Sequence, residues 1–197
     1  MTTKESIVYE SLKLFSVNGY KAVSTRMIAR SIQASDAVIY KHFKNKQEIF
    51  DCIVDECLKR YYKKISAFDI DKIDWKDLED MCMDMFVFQT TDEWMTCFRQ
   101  LLLIEQFKNE KMKEIYRKVF INGPIEYMSK LFKELIQLGY MKDGTAEVYA
   151  MDLYGPFFLY HTVGGDEEII VKNLREHVRR FRERVVTDMG YIENISE

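Results

Sequence analysis

The run AVIYKHFKNKQEIF, residues 37–50, gathers Tyr40, Lys41, His42, Lys44 and Lys46, with apolar residues threaded between them. Ammonium, imidazole and phenol groups on a short helix suit an anionic partner, because each offers positive charge or a hydrogen-bond donor to phosphate-like oxygens. Bond-making chemistry has no comparable cluster. The chain contains no G-x-S-x-G, H-E-x-x-H, phosphate-loop or dinucleotide-binding pattern. His161 and His177 stand near acids without a Ser or Cys at a spacing that would make a nucleophile pair, so they read as structural or surface residues. Cys52, Cys57, Cys82 and Cys97 form no C-x-x-C pair and have no nearby His to complete a zinc set. They read as buried thiols in a reducing cytoplasm. The expectation is therefore not an enzyme: no catalytic residue, no metal and no cofactor.

Charge is divided unevenly along the 197 residues. Residues 1–46 hold eight Lys and Arg against three acids, a net of +5, while the rest holds 21 against 29, a net of -8. A basic head on an acidic body implies that only the head meets a polyanion. With 2 Pro and 8 Gly the chain is poor in turn formers for a β protein, and its Lys, Glu, Leu and Met favour helices, so the fold class is all-α. The first residues lack the basic start, apolar run and cleavage site of a secretory signal, and no stretch approaches 18 uninterrupted apolar residues. A cytoplasmic protein with no membrane partner is expected.

The elements that would hold the basic cluster can be read from periodicity and caps. Ile7, Val8, Ser11, Leu14 and Phe15 follow one face of a first helix, which Asn18-Gly19 stops. Ser24 caps a short second helix with Ile28, Ala29 and Ile32 inward, and Ser35 caps a third that begins at Asp36. So few residues join these two that they must cross steeply, as in a helix-turn-helix. Ile39 and Phe43 then face inward, leaving Ala37, Val38, Lys41 and part of Tyr40 outward. Asn45-Lys46 opens a fourth helix with the inward stripe Ile49, Phe50, Ile53, Val54, Cys57 and Tyr61.

The stretch Ser11 to Phe50 resembles the N-terminal DNA-binding domain of the TetR family of bacterial transcriptional regulators. The residues that carry the resemblance are Ser11, Leu14-Phe15, Gly19-Tyr20, Ser24, Ile28-Ala29 and Tyr40-Lys41-His42-Phe43-Lys44-Asn45-Lys46. Two positions depart from the family pattern: Gln33 stands where the turn often has Gly, and Ala37 follows Asp36 where relatives often carry a basic or neutral residue. By resemblance, Ser24 and Thr25, with Arg26 beside them and the free N–H groups of the helix start, form a phosphate clamp. Tyr40 and His42 flank the major groove as backbone contacts, and Lys46 is a further phosphate anchor. Ser35, Asp36, Ala37, Val38 and Lys41 present the base-reading end of the recognition helix. Asp36 has two readings of equal weight, acceptor for a cytosine amine or plain partner of the helix dipole. Lys44 receives no role.

Beyond the fourth helix, residues 66–77 read as a connector. Apolar-periodic segments follow at about 75–90, 92–108, 110–138, 145–162 and 166–189, with a kink or break at Gly123-Pro124, where Pro124 cannot bond the Phe120 carbonyl. The segment AEVYAMDLYGPFFLYHTV is apolar nearly all round, and the next carries a seam of Ile170, Leu174, Val178, Phe181 and Val185. Packing within the chain or against a second copy would each explain this pair of helices. The resemblance implies the second, a homodimer, with Tyr154, Phe158, Leu174, Val178, Phe181 and Val185 at the interface. Eleven Met, 13 Phe, 12 Tyr and 2 Trp make an adaptable apolar pocket plausible for a small-molecule inducer, with Met85, Trp94, Phe98, Phe120 and Tyr127 as candidate lining.

The combined expectation is a helix-turn-helix DNA-binding domain at 1–50 and a larger helical ligand-binding and dimerisation domain at 51–197. Its function would be that of a homodimeric repressor on a palindromic operator of double-stranded DNA, released by a small apolar or aromatic ligand, with the fourth helix as coupling element. A regulator of the same fold acting as activator, or without a small-molecule ligand, is the alternative.

Overall fold

The computed structural model describes residues 2–67 and 77–188. Most of the connector expected at 66–77 lies outside the described residues, as does Met189, the expected end of the last segment. The described chain is all-α, and packing divides it into two units. The first comprises residues up to 67 together with 90–116; the second, among the described residues, comprises 77–89 with 117–188.

In the first unit, α1 (Thr3–Asn18) starts with a capping box in which Glu5 N–H donates to the Thr2 hydroxyl and Thr2 N–H donates to the Glu5 carboxylate. It ends at Gly19, whose φ of 79° lies in the left-handed region. Its inward face is Ile7, Val8, Ser11, Leu12, Phe15 and Ser16. Leu14, expected inward, is half-buried, because Leu12 holds the position one turn before Ser16 and in phase with Val8. α2 (Thr25–Ser31) and α3 (Asp36–His42) form the helix-turn-helix, with Ile28, Ala29 and Ile39 buried. Ile32 follows α2 as its half-buried C-cap, and Phe43 is buried just beyond α3 in extended backbone.

α4 (Lys46–Ile65) buries all six residues of its expected stripe and packs on α1 and on α6 (Glu93–Glu105). The α6 helix packs along α1 as well. It is tied at its start by Tyr9, whose hydroxyl donates to Glu93 and whose ring lies 5.4 Å from Trp94. The unit closes with α7 (Glu110–Arg117) as far as residue 116.

The second unit holds α5 (Asp77–Thr91) as far as residue 89, α8 (Gly123–Gln137), α9 (Ala146–Val163) and α10 (Glu167–Val185). The break expected at Gly123-Pro124 takes the form of a π-helical turn, Lys118–Asn122, leading into α8 with Pro124 in its first turn. The Phe120 carbonyl, which Pro124 cannot serve, accepts instead from the Tyr154 hydroxyl at 2.8 Å. The core unites α5, α8, α9 and α10 through Leu78, Phe86, Phe132, Leu153, Phe157, Leu174 and Phe181. Below α10 a two-residue bridge pairs Met141 with Val186, and Lys142 N–H donates to the Val185 carbonyl at 2.8 Å.

Two expectations change here. Leu174, Val178, Phe181 and Val185 are buried in the chain's own core, so the seam of α10 is an internal packing surface and is not open to a second chain. Of the four cysteines, Cys57 and Cys82 are buried, and burial pushes the Cys82 thiol up to about 12, whereas Cys52 and Cys97 are half-buried.

Candidate nucleic-acid interface

Residues 24–42 sort cleanly by direction. Ile28, Ala29 and Ile39 turn inward, while Ser24, Arg26, Ser35, Asp36, Ala37, Tyr40, Lys41 and His42 are exposed and Thr25 and Val38 half-buried. Ser24 is the N-cap of α2, accepting from Met27 N–H at 3.2 Å. The two helices are pinned across the face by the Thr25 and Tyr40 hydroxyls, 3.3 Å apart, with Tyr40 still 57% exposed. The start of α2 therefore carries the hydroxyls of Ser24 and Thr25 and, one residue on, the exposed Arg26, a set of donors suited to a phosphate.

The turn between the helices closes through Gln33 N–H to the Arg30 carbonyl at 3.0 Å and Ala34 N–H to the Ala29 carbonyl at 2.8 Å. To make it, Gln33 adopts a φ of 54°, a conformation that L residues other than Asn and Asp rarely take. The geometry of the Gly-containing turn is thus kept by a non-glycine residue. Ser35 holds the N-cap position of α3 without a side-chain capping bond, so its expected cap is positional only. Asp36 opens α3 and is exposed, which fits either of its readings. Lys44 acts through its backbone: its N–H donates to Glu48 at 2.6 Å at the entry to α4.

Lys46 makes contacts within the head that its spacing in the sequence does not announce. Its ammonium donates to the carbonyls of Tyr20 and Val23, each at 2.8 Å, and lies 4.4 Å from the centroid of the Tyr20 ring. Burial lowers its pKa, an effect the Glu105 carboxylate opposes. Two of the three donors of the ammonium are spent on backbone between α1 and α2, so Lys46 braces the head. Tyr20, on which it closes, packs edge-on against Phe15 and Phe50 and donates its hydroxyl to Gln47 at 3.1 Å.

Glu105 was not singled out from the sequence. This last residue of α6 is only 4% exposed, and its Oε1 accepts from Tyr20 N–H at 2.9 Å. Its signal was its phase: Phe98, Leu101, Leu102 and Glu105 share one face of α6, and an acid in register with a core stripe requires a donor. Arg30 and Met27, not among the residues expected, are also exposed on α2.

The five candidate pocket residues are not one group. Trp94 and Phe98 belong to the first unit, Trp94 lying between Tyr9 and the Arg60 guanidinium, whose central carbon is 4.6 Å from its ring. Met85, Phe120 and Tyr127 belong to the second. There His161 is buried and stacked on Phe86 at 4.9 Å, and His177 contacts the Leu153 carbonyl at 3.1 Å, so both serve packing. Tyr154 and Phe158 are half-buried on α9. Among the described residues no group of His, Cys, Asp or Glu is arranged to hold a metal ion, and no helix is long and apolar enough to cross a membrane.

Comparison with known proteins finds relatives of the segment that carries these helices. Residues 7–53 match the family model described as "Bacterial regulatory proteins, tetR family". The chain is 22% identical over 116 residues, 59% of its length, to the biofilm operon icaADBC HTH-type negative transcriptional regulator IcaR of Staphylococcus epidermidis. That match spans 62% of the IcaR chain, less than two thirds. Similarity to the probable HTH-type transcriptional regulator YttP of Bacillus subtilis is longer, 24% over 180 residues, covering 80% of this chain and 87% of that one. Among solved structures, SmeT of Stenotrophomonas maltophilia in complex with triclosan shares the fold with a TM-score of 0.72 at 18% identity, over 96% of this chain and 94% of the other. These relatives are regulators and not enzymes. A helix-turn-helix that keeps its donors outward and a family match covering that head lead to one conclusion: residues 7–53 are a DNA-binding head of the tetR family of bacterial regulatory proteins, and the whole chain shares the fold of transcriptional regulators that carry such a head.

Proposed function

We propose that the protein is a repressor that binds a palindromic operator as a homodimer and leaves it when a small apolar or aromatic ligand is bound. The observation that carries this reading is the sorting of α2 and α3, in which hydroxyls and cations face outward while Ile28, Ala29 and Ile39 face in. Ser24, Thr25, Arg26, Tyr40 and His42 hold phosphates; Ser35, Asp36, Ala37, Val38 and Lys41 read the major groove. The proposed functional division is a DNA-binding head at 1–50 and a ligand-binding and dimerisation body at 51–197, whereas by packing residues up to 67 and 90–116 form one unit.

Two-fold pairing is assigned to α9. Val148, Met151, Leu159 and Val163 are 58%, 58%, 55% and 73% exposed, and with Gly155 they follow one helix face at steps of 3, 4, 4 and 4. Gly155 has open space where a Cβ would stand, which lets a second helix approach closely. Tyr154 and Phe158 flank this stripe. Support for repression comes from IcaR, described as a negative regulator, and support for a ligand from the complex of SmeT with triclosan. Met85, Phe120 and Tyr127 are the retained ligand candidates. Ligand acts by preferring a conformer in which the two heads no longer match successive major grooves, and its effect is bounded by its differential affinity for the two conformers.

The test is a fluorescence-anisotropy titration of the purified protein with genomic duplex fragments at two salt concentrations. Salt-sensitive binding is expected, lost in Tyr40→Ala and shifted in sequence preference in Lys41→Ala, together with a dimer mass that becomes monomer mass in Leu159→Arg. Binding unchanged in Tyr40→Ala would show that the DNA face is misassigned; a dimer mass retained in Leu159→Arg would reject the α9 interface.

A further inference from the structure

Glu105 is a buried carboxylate that no DNA-facing role uses. Its Oε1 takes the Tyr20 N–H at 2.9 Å and lies 2.9 Å from the point where a Cβ on Gly19 would stand. Gly19 is thus required twice, for its φ of 79° and for the room it leaves the carboxylate. On the far side of the same residue, Lys46 takes the Tyr20 carbonyl and, three residues on, that of Val23. The Tyr20 backbone is therefore held at its N–H from the end of α6 and at its C=O from the start of α4, and its ring is wedged between Phe15 and Phe50. Ser24, which caps α2, immediately follows Val23. The entry of α2 into the interface is consequently set by where Glu105 and Lys46 hold this short segment.

We propose that Glu105 is a positioning residue for DNA binding: by accepting the Tyr20 N–H at the end of α6 it fixes the segment that delivers Ser24 and Thr25 to the phosphate backbone. The proposal rests on the DNA face assigned above. It makes α6 part of the head's mechanical frame, with an anchor at each end, Glu93 on Tyr9 and Glu105 on Tyr20. An uncompensated buried amide donor costs more than a lost exposed contact, so removing the acceptor should displace the segment instead of leaving it in place with an empty partner.

The experiment compares wild type, Glu105→Ala, Glu105→Gln and Tyr40→Ala for binding to a mixed-sequence DNA duplex across salt, with amide hydrogen exchange in the free proteins. Glu105→Ala should weaken binding about tenfold, with the salt slope unchanged because no phosphate contact of its own is lost, and should speed exchange at the Tyr20 amide. Glu105→Gln keeps an acceptor oxygen for the same N–H and should bind within about threefold of wild type. If Glu105→Ala does not melt cooperatively, Glu105→Met, which keeps the bulk and lacks the acceptor, carries the same expectation. Wild-type affinity in a folded Ala or Met variant, or a Gln variant as weak as they are, overturns the proposal while Tyr40→Ala still loses binding. Unaltered binding in Tyr40→Ala instead overturns the assigned face itself.

Discussion

Replacing Lys46 by Met separates a phosphate anchor from a brace. Each phosphate contact adds about 0.9 to the slope of log affinity against log salt, so an anchor's loss between 50 and 200 mM would change the salt response about three- to fourfold per head. The structure instead spends the ammonium on the Tyr20 and Val23 carbonyls at 2.8 Å. Buried charge-assisted hydrogen bonds contribute about 1.5–3 kcal/mol each, but this site is half-buried and water can replace part of what Met removes, so about 1–3 kcal/mol for the pair is expected. Lys46→Met should therefore lower the stability of the head and weaken DNA binding while the salt slope stays at the wild-type value. Anisotropy titrations at several salt concentrations, with urea denaturation of the same samples, supply both quantities. A slope reduced by about one unit per head with unchanged stability would refute the brace and restore Lys46 to the phosphate backbone.

Three further expectations test the local physics. Gln33→Gly should raise the melting temperature by about 2–4 °C, since relief of a left-handed non-glycine residue is worth about 1 kcal/mol after the greater freedom of Gly in the unfolded chain is deducted; a melt at or below wild type in calorimetry would contradict the strain. Tyr154→Phe removes the donor to the Phe120 carbonyl and should cost about 1–2 kcal/mol in denaturant titration, whereas no loss would mean that water serves that carbonyl equally well. In the native protein, a thiol reagent should modify Cys52 and Cys97 but reach Cys57 and Cys82 only after denaturant is added, because burial both shields the latter pair and pushes their thiols up; rapid native labelling of Cys57 or Cys82 would show that the helices open around them.

The head was legible because its signals are local. Asn18-Gly19, Ser24 and Asn45 are capping or stop residues whose chemistry depends on their nearest neighbours, and each ends or begins a helix where expected. The Phe120 carbonyl shows where such reading stops: Pro124 announces that it loses its donor, but the replacement is Tyr154, 34 residues away in sequence, and nothing local names it. Lys46 and Glu105 illustrate the same limit in the site. A lysine after two other lysines looks like surface charge until the loop carbonyls it meets are known. Likewise an acid after Leu101, Leu102, Leu103 and Ile104 looks misplaced until the Tyr20 N–H is seen opposite it.

Of the two helices expected to carry a dimer interface, α10 turns its seam inward for a reason that generalises. Steps of 4, 4, 3 and 4 along Ile170, Leu174, Val178, Phe181 and Val185 state that α10 packs one side against apolar partners, and are silent on whose chain supplies them. A helix with a single stripe has one face to bury, and the α5, α8 and α9 core takes it. α9 differs: Ala146, Ala150, Leu153, Phe157 and His161 are consumed inside, yet Val148, Met151, Leu159 and Val163 remain as a second apolar face. A helix apolar on two sides has a face left over once the core takes the other, so the all-round hydrophobicity of AEVYAMDLYGPFFLYHTV, and not the cleaner periodicity that follows it, is the feature on which the proposed pairing of two chains rests. Leu159→Arg, which puts a charge into the proposed α9 stripe, should then dissociate the proposed dimer with little loss of monomer stability, whereas Phe181→Ala should cost about 3–5 kcal/mol of stability in the monomer. Were Phe181→Ala to split the dimer without destabilising the monomer, the seam and the stripe would have to exchange roles.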